Sequence, residues 1–89
     1  GLLPSLGTSA QRFDAIVFNE SLYYFEDPLG AAERYRSLLE LNGLFILSMF
    51  GSQRSLAILR ALRQRYRVVE ERLEQGQRGT WHQIVLDPL

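Results

Sequence analysis

Two short runs of almost unbroken hydrophobicity, with one well-marked helix between them, most constrain what this chain can become. The first is Phe13-Asp14-Ala15-Ile16-Val17-Phe18 and the second is Leu44-Phe45-Ile46-Leu47-Ser48-Met49-Phe50. Both are rich in β-branched and aromatic residues, and neither shows the apolar–polar alternation of a strand with one wet face. Runs of this kind fit strands buried on both faces, as in a parallel sheet.

Between them, Glu26-Asp27-Pro28 opens a helix. Asp27 can accept hydrogen bonds from the free N–H groups of the first turn, and Pro28 loses nothing at the first helical position. Leu29, Ala32, Tyr35 or Arg36, and Leu38/Leu39 recur at helical spacing, and Asn42-Gly43 is expected to end the helix in a left-handed residue. After the second run, Ser52 caps a second helix with Leu56, Leu59, Leu62 and Tyr66 on one face. Arg54, Arg60, Arg63 and Arg65 lie on the opposite face, which reads as solvated. Arg67–Gln75 and Thr80–Pro88 then read as strands of a hairpin around Gly76-Gln77-Arg78-Gly79. The opening GLLPSLGTSAQ reads as a loop, and Ser21–Phe25 carries no clear periodicity.

The order is strand, helix, strand, helix, hairpin. Right-handed crossovers then make a parallel pair, with the last strand antiparallel. The expected class is α/β, a single domain over residues 1–89, because 89 residues hold one small core and not two. Ten basic residues balance ten acidic ones, so no net field gathers phosphates or anionic lipid, and no nucleic acid is expected as a partner. There is no cysteine and one histidine, His82, so neither a thiolate nucleophile nor a Cys/His metal site is expected. No apolar run reaches the roughly 20 residues of a membrane helix, and no export pattern opens the chain. A soluble, cytoplasmic protein with no membrane partner is the expectation.

The stretches FDAIVFNESLYYFEDP and LELNGLFILSMF, in this order and spacing, resemble the region from the fourth strand onward in class I S-adenosylmethionine-dependent methyltransferases. There an FD-start leads through an apolar run to a polar pair, an aromatic-rich turn and a helix opening. Leu-Glu-Leu-Asn-Gly stands where that family has Leu-Lys-Pro-Gly-Gly, with Asn42 in place of a glycine, and LLPSLG is similar to the Leu-Pro after the third strand. The resemblance implies half of a Rossmann-like methyltransferase sheet, from the fourth strand to an antiparallel seventh. The glycine-rich loop that receives the cofactor in the family has no counterpart, since no G-x-G occurs in these 89 residues. S-adenosylmethionine would therefore be the cofactor of a parent protein rather than of this chain alone.

By resemblance, Phe18, Asn19 and Glu20 would lie along the cofactor, while Glu20, Tyr23 and Tyr24 would face a small-molecule acceptor. Glu20 has the chemistry to take a proton or to hold a cationic amine, and the tyrosine rings to stack on or stabilise a cation. Other readings stand beside these. Glu20 facing solvent or binding backbone N–H groups at the turn, Tyr23 and Tyr24 as half-buried packing, and Asn19 as a turn former all fit. Trp81 and His82 are placed far from the site, as packing residues, and Asp14 at the wrong end of the sheet. The functional expectation is methyl transfer in the parent protein, and its alternative is a non-catalytic dimerisation or regulatory module. Without preceding strands, residues 13–20 would form an exposed apolar edge, and a homodimer through that strand is the expected way to cover it.

Overall fold

A computed structural model describes residues 12–88. The loop expected at GLLPSLGTSAQ, and the LLPSLG likeness within it, lie outside the described residues. The order of elements is β1 (Phe13–Asn19), a 3-10 turn (Leu22–Tyr24), α1 (Pro28–Arg36), β2 (Leu39–Phe50), α2 (Gln53–Arg65), β3 (Arg67–Gly76) and β4 (Gly79–Asp87). They form a four-stranded mixed sheet in the order β1-β2-β4-β3, in which β1 and β2 are parallel and β4 runs against both β2 and β3. The first three strands therefore share one direction, and the last alone opposes them.

The local signals act as their chemistry requires. The Asp27 carboxylate accepts from Gly30 N–H at 3.0 Å with Pro28 next to it, and Ser52 Oγ accepts from Ser55 N–H at 3.1 Å. Gly76 and Gly79 close the β3–β4 ladder around a two-residue turn. At Gly79, φ is +144°, and an added Cβ would meet the Phe50 ring at 2.7 Å, so only glycine fits.

Asn42-Gly43 marks a different event from the one expected. α1 ends at Arg36, where Ser37 Oγ donates to the Arg34 carbonyl at 2.8 Å and Leu38 N–H to that of Tyr35 at 2.9 Å. Leu39 is already in β2, opposite Phe13, and the next paired residues are Ala15 and Leu44. Asn42, with φ +70°, lies in the bulge between those two pairings. A left-handed residue serves a helix end and a strand bulge equally; here burial of Leu39 and pairing with β1 decide between them. At Gly43 a Cβ would stand 2.9 Å from the Glu40 carbonyl oxygen, so the bulge also depends on the glycine.

Burial is one-sided, which corrects the expectation of strands covered on both faces. Phe18, Phe45, Leu47, Met49, Ile84 and Leu86 are buried against Leu59, Leu62 and Ala32 of the helices. On the other face Val17 is 60% exposed and Ile46 37%. The cause is topological. Both crossovers step across the sheet in the same direction, so crossovers of one hand put both helices on one side, where α1 and α2 touch. Leu56, expected on the inner face of α2, is 44% exposed, while Ser55 and Ile58 are buried in the helix.

Two carboxylates tie the helices to their surroundings. Glu33 of α1 accepts from the Tyr66 hydroxyl, and Glu71 of β3 accepts from the Arg63 guanidinium. Hydrogen bonding from Tyr66 holds the Glu33 carboxyl below its usual range, Arg63 does the same for Glu71, and burial together with Glu33 pushes the Tyr66 hydroxyl up to about 12.

Truncating Leu59 (Leu59→Ala) is expected to lower unfolding free energy by about 3 kcal/mol through a core cavity. Leu73→Ala, at a side chain 61% exposed, should change it by less than about 0.5 kcal/mol in the same denaturant titration. Because the Glu33 and Glu71 carboxyls titrate lower in the fold than in the open chain, their stabilisation is present above the open-chain value of 4.5 and fades as pH falls through the folded values. Midpoints measured from pH 7 downward should fall in that window, and less steeply in Glu33→Gln.

Candidate functional site

Where β1 and β2 end, their carboxyl termini bring together the polar and aromatic residues singled out from the sequence. β1 finishes at Asn19, which is exposed and lies opposite Ser48 of β2. Glu20 follows in the left-handed region with φ +53°, unusual for a residue with a side chain. Its own N–H donates to the Ser48 carbonyl at 2.8 Å.

The Glu20 carboxylate takes three donors from three places. Oε1 accepts from the Phe50 N–H at 3.1 Å and from the Tyr23 hydroxyl at 3.1 Å, and Oε2 accepts from Ser48 Oγ at 3.2 Å. It thus closes the turn after β1 onto the last residues of β2. Such a clasp offsets the cost of the left-handed backbone, of order 1–2 kcal/mol. Burial, with the Glu20 carboxylate beside it, pushes the Tyr23 hydroxyl up to about 12. Near neutral pH that hydroxyl is a donor and not a base.

The turn itself is anchored from below and behind. Leu22 is fully buried. Arg54, in the first turn of α2, donates Nε to the Tyr23 carbonyl at 2.9 Å and Nη2 to the Phe25 carbonyl at 2.7 Å. The Tyr23 and Tyr24 rings lie 4.7 Å apart, tilted by 35°. Tyr24 is 78% exposed, the outermost surface of the cluster.

The residues expected along the cofactor separate. Phe18 is buried, its ring meeting Tyr35 at 5.6 Å and Phe45 at 5.5 Å edge-on, so its side chain belongs to the core. Asn19 is open to solvent and Glu20 is half-buried in its clasp. Asp14 sits at the start of β1, away from this end.

Ser48, the Phe50 N–H and Arg54 take part without having been expected there, and Trp81 and His82 stand nearer than their place in the last strand suggested. Because β4 is antiparallel, its beginning lies at the carboxyl end of β2: Trp81 pairs with Phe50 and His82 with Met49. The Trp81 and Phe50 rings meet edge-on at 5.0 Å. His82 is half-buried, and its Nδ1 has no partner among the described residues. The signal available in the sequence was the hairpin itself, since a strand returning from a turn starts where its neighbour ends.

Chemically, the cluster offers an exposed tyrosine face, a hydroxyl whose proton is held by Glu20 and whose oxygen can accept, and a carboxylate with one oxygen, Oε2, taking a single described hydrogen bond. An aromatic face and a carboxylate are both groups that attract cations. No group of three or more His, Asp or Glu among the described residues is placed to hold a metal, and no helix there is long and apolar enough to cross a membrane. Compared with protein-family models, curated proteins and solved structures, the chain matches none.

Replacing Glu20 with Gln should lower the Tyr23 pKa from about 12 toward 10 by removing the adjacent negative charge. Spectrophotometric titration of the four tyrosines should show one inflection moving. An unchanged curve would mean that Glu20 and Tyr23 do not touch in solution.

Proposed function

We propose that this chain is the acceptor-side half of an S-adenosylmethionine-dependent methyltransferase fold, serving methyl transfer to a small molecule within a longer parent protein and inactive by itself. The observation that carries the reading is connectivity joined to placement. Three strands of one direction are linked by two helices, the last strand is inserted antiparallel, and Asn19, Glu20, Tyr23 and Tyr24 lie at the carboxyl ends of the parallel pair. In open parallel sheets that end is where ligands sit.

The residues present do not fit the cofactor on their own. Phe18 is withdrawn into the core, most of the Glu20 carboxylate is engaged by Phe50, Tyr23 and Ser48, and there is no glycine-rich turn. Asn19 alone remains free to meet it. The role of this half is accordingly to receive and orient the acceptor. The Tyr24 ring offers a face to a cationic or planar group, the Tyr23 hydroxyl, its proton donated to Glu20, can accept a hydrogen bond, and Glu20 Oε2 attracts positive charge. Displacement at a methyl carbon depends chiefly on such positioning. One observation favours the second reading, a dimerisation module: the side of β1 away from β2 has no partner strand among the described residues.

Titration calorimetry of the 89-residue chain with S-adenosylmethionine should give no binding in the micromolar range. A polypeptide extended upstream in its own reading frame should carry a G-x-G turn and bind. In that longer protein, Tyr24→Ala should reduce kcat/KM about three- to thirtyfold, the range of a lost cation–π contact. An upstream sequence without the turn and without binding would exclude the methyl-transfer reading.

A further inference from the structure

We propose that the helix-free face of the sheet holds a linear aliphatic polyamine, laid across the strands with its two cationic ends at Glu20 and Glu70. This adds a ligand class to the acceptor reading above and rests on that reading only for the fate of the bound amine. The binding itself stands apart from methyl transfer.

Pairing register sorts this face into rows. Phe45, Leu47 and Met49 are buried under the helices, so Ile46, Ser48 and Phe50 between them point the other way. Asn19, Ser48, Gln83 and Arg72 are successive cross-strand neighbours and form one polar row from β1 to β3. Val17, Ile46, Val85 and Glu70 form the next row, apolar until its last member. On the other side of the polar row, Phe50 lies opposite Trp81 and Trp81 opposite Glu74. The first two rows enclose a groove of about 420 Å³ over β2, β4 and β3, lined by Ile46, Val85, Ser48, Gln83, Glu70 and Arg72.

Both ends of the groove and its middle keep unused hydrogen-bonding capacity. Ser48 Oγ donates to Glu20 Oε2 at 3.2 Å, which sets that carboxylate oxygen at the β2 end, with no other bond among the described residues. At the β3 end, Glu70 Oε2 accepts from Arg72 Nε at 3.0 Å, and Glu70 Oε1 takes no bond among the described residues. Between them Gln83 is exposed, and its side chain makes no hydrogen bond among the described residues.

Charge and length select the ligand. Around the groove Glu20, Glu70 and Glu74 stand against one guanidinium, Arg72, while Arg67 and Asp87 farther along form an ion pair at 2.7 Å. The excess is negative, which attracts a cation and disfavours an anion. Two strand spacings and two residues separate Ser48 from Glu70, roughly 12 Å. Two carboxylates that far apart, with Ile46 and Val85 between, match a molecule with ammonium groups at its ends and methylenes in its middle. The methylenes cover the two apolar side chains, and an inner amine donates to the Gln83 carbonyl. A compact monocation reaches one carboxylate only.

Spermidine, whose terminal amines stand about that far apart, is the probe. Titrated at low ionic strength into the isotope-labelled 89-residue chain, it should give saturable NMR shifts of the Glu20, Ser48, Glu70 and Gln83 amides. Those of Leu59 and Leu62 in α2 should not move. Hexylamine, with one charge, should bind about tenfold more weakly, and suberate, a dianion of similar length, should not bind. Glu70→Gln should weaken spermidine about tenfold, and Gln83→Arg, which sets a cation in mid-groove, should abolish binding. Glu40→Gln, at the opposite end of β2, should change nothing. Absence of saturable shifts at millimolar spermidine overturns the inference. So does equal weakening by Glu70→Gln and Glu40→Gln, the mark of diffuse attraction to acidic surface, or suberate binding as tightly as spermidine. No methyl donor is present, so this result is read separately from the upstream G-x-G turn. A bound polyamine without that turn removes the methyl-transfer reading alone, and the turn without a bound polyamine removes this inference alone.

Discussion

Two crossovers that advance the same way across a sheet must lay both helices on the same face, and most of this structure follows from that geometry. α1 and α2 share one side, their apolar residues meet there, and Phe45, Leu47, Met49, Ile84 and Leu86 are withdrawn from solvent beneath them. The opposite face has no such cover, and Val17 and Ile46 remain accessible on it. A chain of this length can build one well-packed layer contact but not two, because small folds bury a modest share of their surface. The apolar character of β1 and β2 on both sides thus exceeds what the chain's own helices use. That surplus is the physical reason to look for a partner, whether further strands of a parent protein or a second copy.

The Glu20 clasp shows how architecture and candidate chemistry share one group. A left-handed glutamate would be unfavourable in isolation. Three donors converge on its carboxylate, from Tyr23, Ser48 and the Phe50 main chain, and Arg54 holds the following turn by two of its carbonyls. The same contacts that relieve the backbone also consume most of the lone pairs a general base would offer. Glu20 is therefore better built to hold a tyrosine hydroxyl and attract a cation than to cycle protons. The surface that remains free is aromatic: Tyr24, with Tyr23 at its back.

What could be read from the sequence was what adjacent residues decide. Asp27-Pro28, Ser52 and the Gly76/Gly79 pair each have a local mechanism, and each acts as expected. Asn42-Gly43 was read correctly as a left-handed reversal and wrongly as a helix stop, because a bulge and a C-cap ask the same of the backbone; the difference lies in the distant pairing of Leu39 with Phe13. Burial on a single face was not legible either, since a hydrophobic run reports what a strand tolerates and not what the rest of the chain supplies. The positions of Trp81 and Arg54 depend on the antiparallel register of β4 and on where α2 begins, neither of which any short window of residues contains.

The β1 edge and the candidate site are not independent, because they meet at Glu20. A strand added to β1 would run beside Asn19, where the chain turns into Glu20. It also occupies the backbone groups on which a preceding strand of a parent protein would build. On the proposed reading, a second copy and the preceding strands of a parent protein would compete for that one edge. Which state prevails turns on effective concentration: strands on the same polypeptide compete as intramolecular ligands, with an advantage that a second copy must overcome at its own free concentration. An upstream half, where present, is expected to take the edge and leave Glu20 and the tyrosines facing the acceptor. Without one, the edge stays open to any other strand that reaches it.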